Sequence, residues 1–407
     1  MSGPRIHVVG AGMAGLGAAV HAAKAGARVI VHEAAGRPGG RCRSFIASEL
    51  ERTVDNGTHL ILGANTAVFD YLEATGARDA LVPAAGFPFL DLVTGERWTV
   101  RPGRLSTLRA IGATPADVAA LLRLWRADEE AVVASLTRRH SRLYQRLWRP
   151  LTVSALNTEP EQASARLLWR VVTLALLRGA AAARPYLVRE TLDATFVAPA
   201  LATLEAAGAT VRLNRQLVDL EHEGRRVTGL RFAEGLLPIG LGERVILALP
   251  PWVTASLVPR LPVPTQFRAI VNAHFRLKQP PDGGVSLLGL VGGEAQWLFV
   301  RGDVVSVTVS AADSLAADSL AEIARRLWRD AARALALPPV PLPPWRIVKE
   351  RRATIAHTPE QLKRRPGPVT RFTNLWLAGD WTDTGLPCTI DGALRSGVAA
   401  AQTALVG

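Results

Sequence analysis

The sequence predicts an α/β fold: a Rossmann-type nucleotide-binding domain assembled from the two ends of the chain, with an inserted, partly helical α+β domain. Three observations predict it. A strand–glycine turn–helix–strand unit opens the 407-residue chain, a strand–acid–loop–helix unit closes it, and mixed strands and helices fill the stretch between.

Arg5-Ile-His-Val-Val9 has the β-branched character of a short buried strand. It runs into Gly10-Ala-Gly12-Met13-Ala14-Gly15, a helical stretch from Leu16 to Ala25, and a second strand, Arg28-Val-Ile-Val-His32, that ends at Glu33. G-x-G-x-x-G in this setting is a dinucleotide fingerprint. Gly10 serves the tight turn, Gly12 close approach to a pyrophosphate, and Gly15 helix–strand packing. The helix start at Met13 and Ala14 offers N–H groups to phosphate, and Glu33 offers a carboxylate to ribose hydroxyls.

A helix is expected over 65–75, then a hairpin around Thr94-Gly95. Helix starts are expected at Thr114-Pro115 and Thr158-Glu-Pro160, where threonine and proline stand together. A helix up to Ala207 stops at Gly208; Thr210–Asn214 and Leu217–Leu220 read as strands, a hairpin turns at Glu223-Gly224, and Arg244–Pro251 holds a buried strand. Beyond Pro264 follow strands at Phe267–Leu277 and Val285–Val309, a helix from Ser314 to Ala336, and a proline-rich linker, Leu337–Pro344. Near the end, Asn374-Leu-Trp-Leu-Ala-Gly379-Asp380 delivers an acid from a strand, and Thr389-Ile390 opens a small-residue helix. This gives a discontinuous nucleotide-binding domain, 1–79, 190–263 and 345–407, and a substrate domain, 80–189 and 264–344.

Composition bounds the function. With 48% hydrophobic and 20% charged residues the chain is globular. The net charge of +13 rests on arginine, since lysine occurs only at 24, 278, 349 and 363. Two readings of that charge stand side by side: base composition of the genome, or attraction to anionic headgroups and phosphates. Nothing resembles a nucleic-acid reading module. Cys42 and Cys388 give neither a disulfide framework nor metal-ligand spacing, so no metal site and a cytoplasmic setting are expected. No uncharged apolar run reaches the ~18 residues that span a bilayer. The most apolar stretch, 167–177, is bounded and cut by Arg166, Arg170 and Arg178. The Arg-studded stripe 166–184 reads either as a solvated face or as a peripheral contact with an anionic membrane.

Glu33-Ala-Ala-Gly-Arg37-Pro-Gly39-Gly40-Arg41-Cys-Arg-Ser44 resembles the R-x-G-G-R-x-x-S segment of the flavin-dependent amine oxidase and phytoene desaturase superfamily. Asp55-Asn-Gly57-Thr58-His59-Leu-Ile-Leu-Gly63 matches the superfamily's loop past the flavin ring. The resemblance implies FAD, held by Gly10, Gly12, Met13, Ala14, Gly15, Glu33, Gly40, Arg41, Gly57, Thr58, His59, Val218, Gly379, Asp380, Thr389 and Ile390. It places Val218 at the adenine and Asp380 at the ribitol. No second G-x-G-x-x-G provides a nicotinamide domain, and the electron donor stays unidentified.

Two further runs narrow the match. Ser154-Ala-Leu-Asn157-Thr-Glu-Pro160-Glu-Gln-Ala-Ser164 and Gly379-Asp380-Trp381-Thr382-Asp383-Thr384-Gly385-Leu386-Pro387 resemble the hydroxysqualene dehydroxylases of bacterial hopanoid pathways. That family reduces a triterpenoid substrate, hydroxysqualene, to squalene. The resemblance implies acid-assisted loss of the allylic hydroxyl and hydride transfer from reduced flavin N5. Its amine oxidase relatives carry a lysine where Asn272 stands here, and an aromatic where Leu386 stands. His59, Asp383 and Asn272 are the catalytic candidates: His59 as a proton donor titrating near neutrality, Asp383 as an acid raised by an apolar pocket, and Asn272 as a holder of the substrate hydroxyl. Each has a plainer alternative: a flavin or backbone bond for His59, a loop cap for Asp383, and backbone satisfaction for Asn272. Asp55 reads as a turn residue beside Gly57. A carotenoid-type desaturase or isomerase, an amine oxidase and a flavin-binding scaffold are the competing functions.

Overall fold

The structure is a computed structural model that describes residues 3–101, 111–281 and 286–406. Val285, the first residue of one expected strand, lies outside them, as do Met1 and Ser2.

Five strands form a wholly parallel sheet in the order Thr210–Arg212, Arg28–His32, Arg5–Val9, Arg244–Leu247, Leu375–Leu377. Its central strands are apolar on both faces, as a sheet covered by helices requires. The Met13–Lys24 helix packs on the Ile390–Val406 helix so closely that a Cβ on Gly397 would lie 2.1 Å from the Ala14 carbonyl oxygen. The two ends of the chain thus share one core, with Leu16, Val20, Leu394 and Ala401 buried in it.

A second sheet has seven strands, in the order Trp345–Ile355, Phe267–Arg276, Val304–Val309, Trp297–Arg301, Leu287–Val291, Phe87–Asp91, Arg97–Val100. One face packs on the Leu320–Ala334 helix through Val271, Ala273, Phe275, Val305, Val307 and Ile347. Part of the other meets the helices of 115–176 through Phe89, Trp98, Leu124, Val133, Leu156 and Leu168.

The expected hairpin at Thr94-Gly95 joins two strands of this sheet, its turn capped by the Asp91 carboxylate, which accepts from the Val93 and Thr94 N–H groups. Thr114 caps the Pro115–Trp125 helix with Asp117 in a capping box. Three expectations need correction. Thr158-Glu-Pro160 opens a turn, because the Thr158 hydroxyl is engaged by the Leu156 carbonyl; the helix begins at Ala165, capped by Ser164. The helix expected from Ser314 breaks into a short 3-10 turn, Leu315–Ala317, and a helix restarted by the Ser319 cap. Trp345–Ile355 pairs antiparallel with Phe267–Arg276, so the chain returns to the parallel sheet later than residue 345. Its mixed charged and apolar residues suit a half-exposed antiparallel strand, not a buried parallel one.

Candidate functional site: a dinucleotide turn and the loop against the seven-stranded sheet

The N-terminal fingerprint is built as its glycines require. Gly10 has φ +104°, and a Cβ on Gly15 would sit 1.8 Å from the Gly10 carbonyl oxygen. Gly12 faces open space, and the helix that starts at Met13 has neither a side-chain cap nor a first-turn acid. Its positive end is therefore offered to an anion from outside the helix. At the end of the Arg28–His32 strand the Glu33 carboxylate accepts from Ala11 N–H at 2.7 Å and Ala35 N–H at 2.8 Å, which fixes it beside the turn. Gly40 packs across the turn, where a Cβ would come 3.2 Å from Gly12 Cα. Val218 falls at a bulge between the paired residues Leu217 and Asp219, outside the ladder, with its side chain exposed.

The C-terminal unit meets this turn through Arg41. Its guanidinium donates to Asp380 at 2.6 Å and to the Ala353 carbonyl. The Arg41 side chain keeps 45% of its surface accessible, so its guanidinium can still be reached from outside the pair. Burial opposes its charge, but the Asp380 carboxylate outweighs burial and raises the pKa. Asp380 is buried just after the Leu375–Leu377 strand, and Gly379 N–H donates to Ser396 Oγ. Thr389 Oγ1 accepts from Gly392 N–H, capping the helix that begins at Ile390.

The loop after Asp55 lies against the seven-stranded sheet. Asp55 is spent on Ser44 Oγ, Leu192 N–H and Arg301, the structural role expected of it. A Cβ on Gly57 would stand 3.1 Å from Asn272 Nδ2. Asn272 is buried, donates to the Asn56 carbonyl at 3.2 Å and accepts from Thr308 Oγ1 at 2.7 Å, so its amide ties loop to sheet. His59 follows Thr58 in this loop, and both are partly exposed. Burial pushes it down to about 4, with Asp55 opposing and Arg41 assisting. It is therefore neutral at pH 7, not poised near neutrality as expected. Asp383 is also placed differently: it is exposed, and its carboxylate accepts from Gly385 N–H at 3.2 Å. The apolar pocket expected around it is replaced by an ordinary loop cap.

Two side chains that no local signal marks hold the site together. Arg365 is buried and donates to the carbonyls of Asp380, Trp381, Thr382 and Leu386. It folds the loop before the last helix around one guanidinium. His357, also buried, accepts Cys388 N–H on Nε2 at 2.9 Å and donates from Nδ1 to the Leu156 carbonyl at 2.5 Å. Burial, with Arg365 adding to it, lowers this histidine to about 4 and keeps it neutral. It ties Leu156 of the 154–164 run, 201 residues from it in sequence, to Cys388, which directly follows the 379–387 run.

Paired residues on neighbouring strands share a face. A single row therefore crosses the sheet: Val348, Asn272, Thr308, Trp297, Gly289, Phe89, Trp98. It is polar at the Gly57 loop and aromatic further out, where Phe89 stacks on Trp98 at 5.5 Å and meets Trp297 at 5.4 Å. The aromatic end is the part covered by the inserted helices.

Arg41 beside Asp380, the uncapped helix start at Gly12 and the fixed Glu33 carboxylate fit a dinucleotide cofactor. The chain belongs to the flavin containing amine oxidoreductase family, whose model matches residues 13–405. It is a flavin-dependent oxidoreductase. Within that family its relatives are specific. It is 45% identical to the hydroxysqualene dehydroxylase of Sinorhizobium fredii and 41% identical to that of Rhodopseudomonas palustris, each over 98% of both chains. Cyclohexylamine oxidase from Brevibacterium oxydans shares the fold at a TM-score of 0.71 and 16% identity, over 99% of this chain and 98% of that one.

Proposed function

We propose that this protein holds FAD and reductively removes the allylic hydroxyl of hydroxysqualene to give squalene. The observation that carries the reading is the full-length relationship to hydroxysqualene dehydroxylases, extending through both the 154–164 and 379–387 runs. The cofactor, when bound and reduced, supplies the hydride.

The chain's own residues do the rest. The helix start at Gly12–Gly15 and Arg41 take the diphosphate, Glu33 the adenosine ribose, Val218 the adenine and Asp380 the ribitol. Asn272 and Thr308, on the polar part of the cross-sheet row, orient the substrate hydroxyl at the Gly57 loop. Trp297, partly exposed next to Thr308 on the row and backed by the buried Phe89, gives the polyene an apolar wall, and the face of such a ring also favours nearby positive charge. His59, neutral near pH 7, donates or accepts a hydrogen bond there and carries no charge. Asn272 in place of a lysine, with its amide already tied to loop and sheet, offers no base for amine oxidation.

Access to so apolar a substrate points to a membrane surface. We assign that contact to the stripe where Leu177, Arg178 and Arg184 stand exposed. No helix among the described residues is long and apolar enough to cross a membrane.

The test is an anaerobic single turnover of photoreduced protein with hydroxysqualene, following flavin absorbance and extracting the product. Reoxidation matched by squalene formation is expected. Flavin that stays reduced beside intact substrate overturns the reading, and reaction of oxidised protein with a polyene would favour a desaturase instead.

A further inference from the structure

His357 brings two distant segments to the end of one strand, and each of its four polar atoms has a partner. It follows the Trp345–Ile355 strand and is wholly buried. Its backbone N–H donates to Thr158 Oγ1 at 3.0 Å, and its carbonyl accepts from Ser164 N–H at 2.9 Å. The ring takes up the Leu156 carbonyl on Nδ1 and the Cys388 N–H on Nε2. Those partners fix its tautomer. A backbone N–H only donates, so Nε2 presents its lone pair; a carbonyl only accepts, so Nδ1 carries the hydrogen.

The two ring contacts lead to different halves of the proposed site. Leu156 is buried in one cluster with Phe89, Trp98 and Trp148, on the substrate side. Next to it Asn157 has φ 45°, and its amide meets Ala311 N–H at 2.6 Å and Thr354 Oγ1 at 3.0 Å. The turn is thereby pinned to the seven-stranded sheet. Cys388 belongs to the cofactor side. Its thiol donates to the Asp380 carbonyl at 3.3 Å, while the Asp380 carboxylate takes Arg41 at 2.6 Å. Thr389, the following residue, caps the last helix.

A phenylalanine would fill nearly the same space. What the imidazole adds is an acceptor toward one half and a donor toward the other, held at a fixed separation by a rigid ring.

We propose that His357 is a positioning residue for the reaction: it sets how far the Leu156 turn stands from the Cys388–Ile390 segment assigned to the cofactor. The Nε2 bond fixes the cofactor side and the Nδ1 bond fixes the substrate side. Loss of either displaces the two reactants relative to each other, although His357 touches neither.

The inference rests on the dehydroxylation reading, and the experiment separates their failures. Photoreduced holoenzyme is reoxidised by hydroxysqualene in single turnovers for the wild type, His357→Gln, His357→Asn and His357→Phe. The flavin spectrum, the dependence on hydroxysqualene concentration and the thermal midpoint are recorded for each. Glutamine brings an amide oxygen to the Nε2 position, and asparagine brings an amide nitrogen to the Nδ1 position. His357→Gln is expected to keep the wild-type flavin spectrum and saturating rate, with half-saturation raised roughly tenfold. His357→Asn is expected to shift the spectrum and slow the saturating rate by roughly 10–10²-fold, with half-saturation unchanged. His357→Phe should show both defects; if it does not fold, the contrast between the two amides carries the test. Wild-type spectrum, rate and half-saturation in His357→Phe overturn the proposal. So do glutamine and asparagine variants that lower the thermal midpoint without dividing in this way, which makes the ring merely structural. If the wild type itself does not react, the dehydroxylation reading falls. The spectra then decide the rest: a shift in His357→Asn alone upholds the tie to the cofactor side, and equal spectra overturn it.

Discussion

The two sheets put their chemistry in different places. The parallel sheet works through backbone: a turn at Gly10, bare N–H groups at a helix start, and carbonyl-to-Cα approaches that no side chain survives. The seven-stranded sheet works through side chains on alternate positions of strands in a mixed, mainly antiparallel sheet, with Asn272, Thr308, Trp297 and Phe89 brought level only by register. A phosphate is recognised by geometry common to all peptides, whereas a hydroxyl on a polyene needs particular groups at particular points. The first kind of site tolerates almost no change in the chain's path. The second tolerates change in single residues while the path is kept.

That contrast can be broken by substitution. The largest effect is expected for Gly15→Ala, whose methyl would overlap a backbone oxygen: about 3 kcal/mol of stability or more, and protein that purifies without flavin, read by the visible spectrum. Arg365→Met comes next. It leaves four loop carbonyls without their donor and should cost about 3 kcal/mol in denaturant unfolding, with weakened FAD retention.

Acid sharpens the comparison by acting on both halves at once. His274 on the seven-stranded sheet and His357 beside the last helix are each lowered to about 4 by burial. An unfolded histidine titrates near 6.5, so the unfolded chain takes up these protons first. The stability they hold is complete above about pH 6.5 and is lost as pH falls toward 4, at up to about 1.4 kcal/mol per pH unit for each. Unfolding midpoints measured between pH 7 and 4.5 should fall accordingly. Asn272→Ala should cost about 1–2 kcal/mol from the lost ties to Asn56 and Thr308 and slow turnover without releasing FAD. Asp383→Ala should be smallest, within about 0.5 kcal/mol in stability, because an exposed loop cap has solvent to replace it. A large loss of rate there would restore Asp383 as a catalytic candidate.

The cofactor half was legible because its requirements are local. Gly10, Gly12, Gly15 and Glu33 fall within one strand–helix–strand unit, and Gly10 and Gly15 have the geometric reasons that the spacing implied. Gly379-Asp380 and the helix after it were equally plain. The other half was not. Nothing in the neighbourhood of Thr308 or Trp297 places either level with Asn272, because that depends on pairing between strands. His357 and Arg365 escaped for the same reason: their partners lie elsewhere in the chain. Asp383 misled because a run of specific residues was read as chemistry when much of it is turn. Thr158-Glu-Pro160 misled because threonine before proline signals a helix start only while its hydroxyl is free.

The joined ends of the chain have a consequence in time. The Arg5–Val9 strand leaves the ribosome first, yet its sheet neighbour Arg244–Leu247, the edge strand Leu375–Leu377 and the covering helix Ile390–Val406 come far later. At translation rates of 5–20 residues per second, the fingerprint waits roughly 20–70 s for the helix that packs on it. During that interval the side of the Met13–Lys24 helix that packs on Ile390–Val406 has no native cover, and a chain cut short before that helix would hold a complete dinucleotide motif with one wall of its core missing.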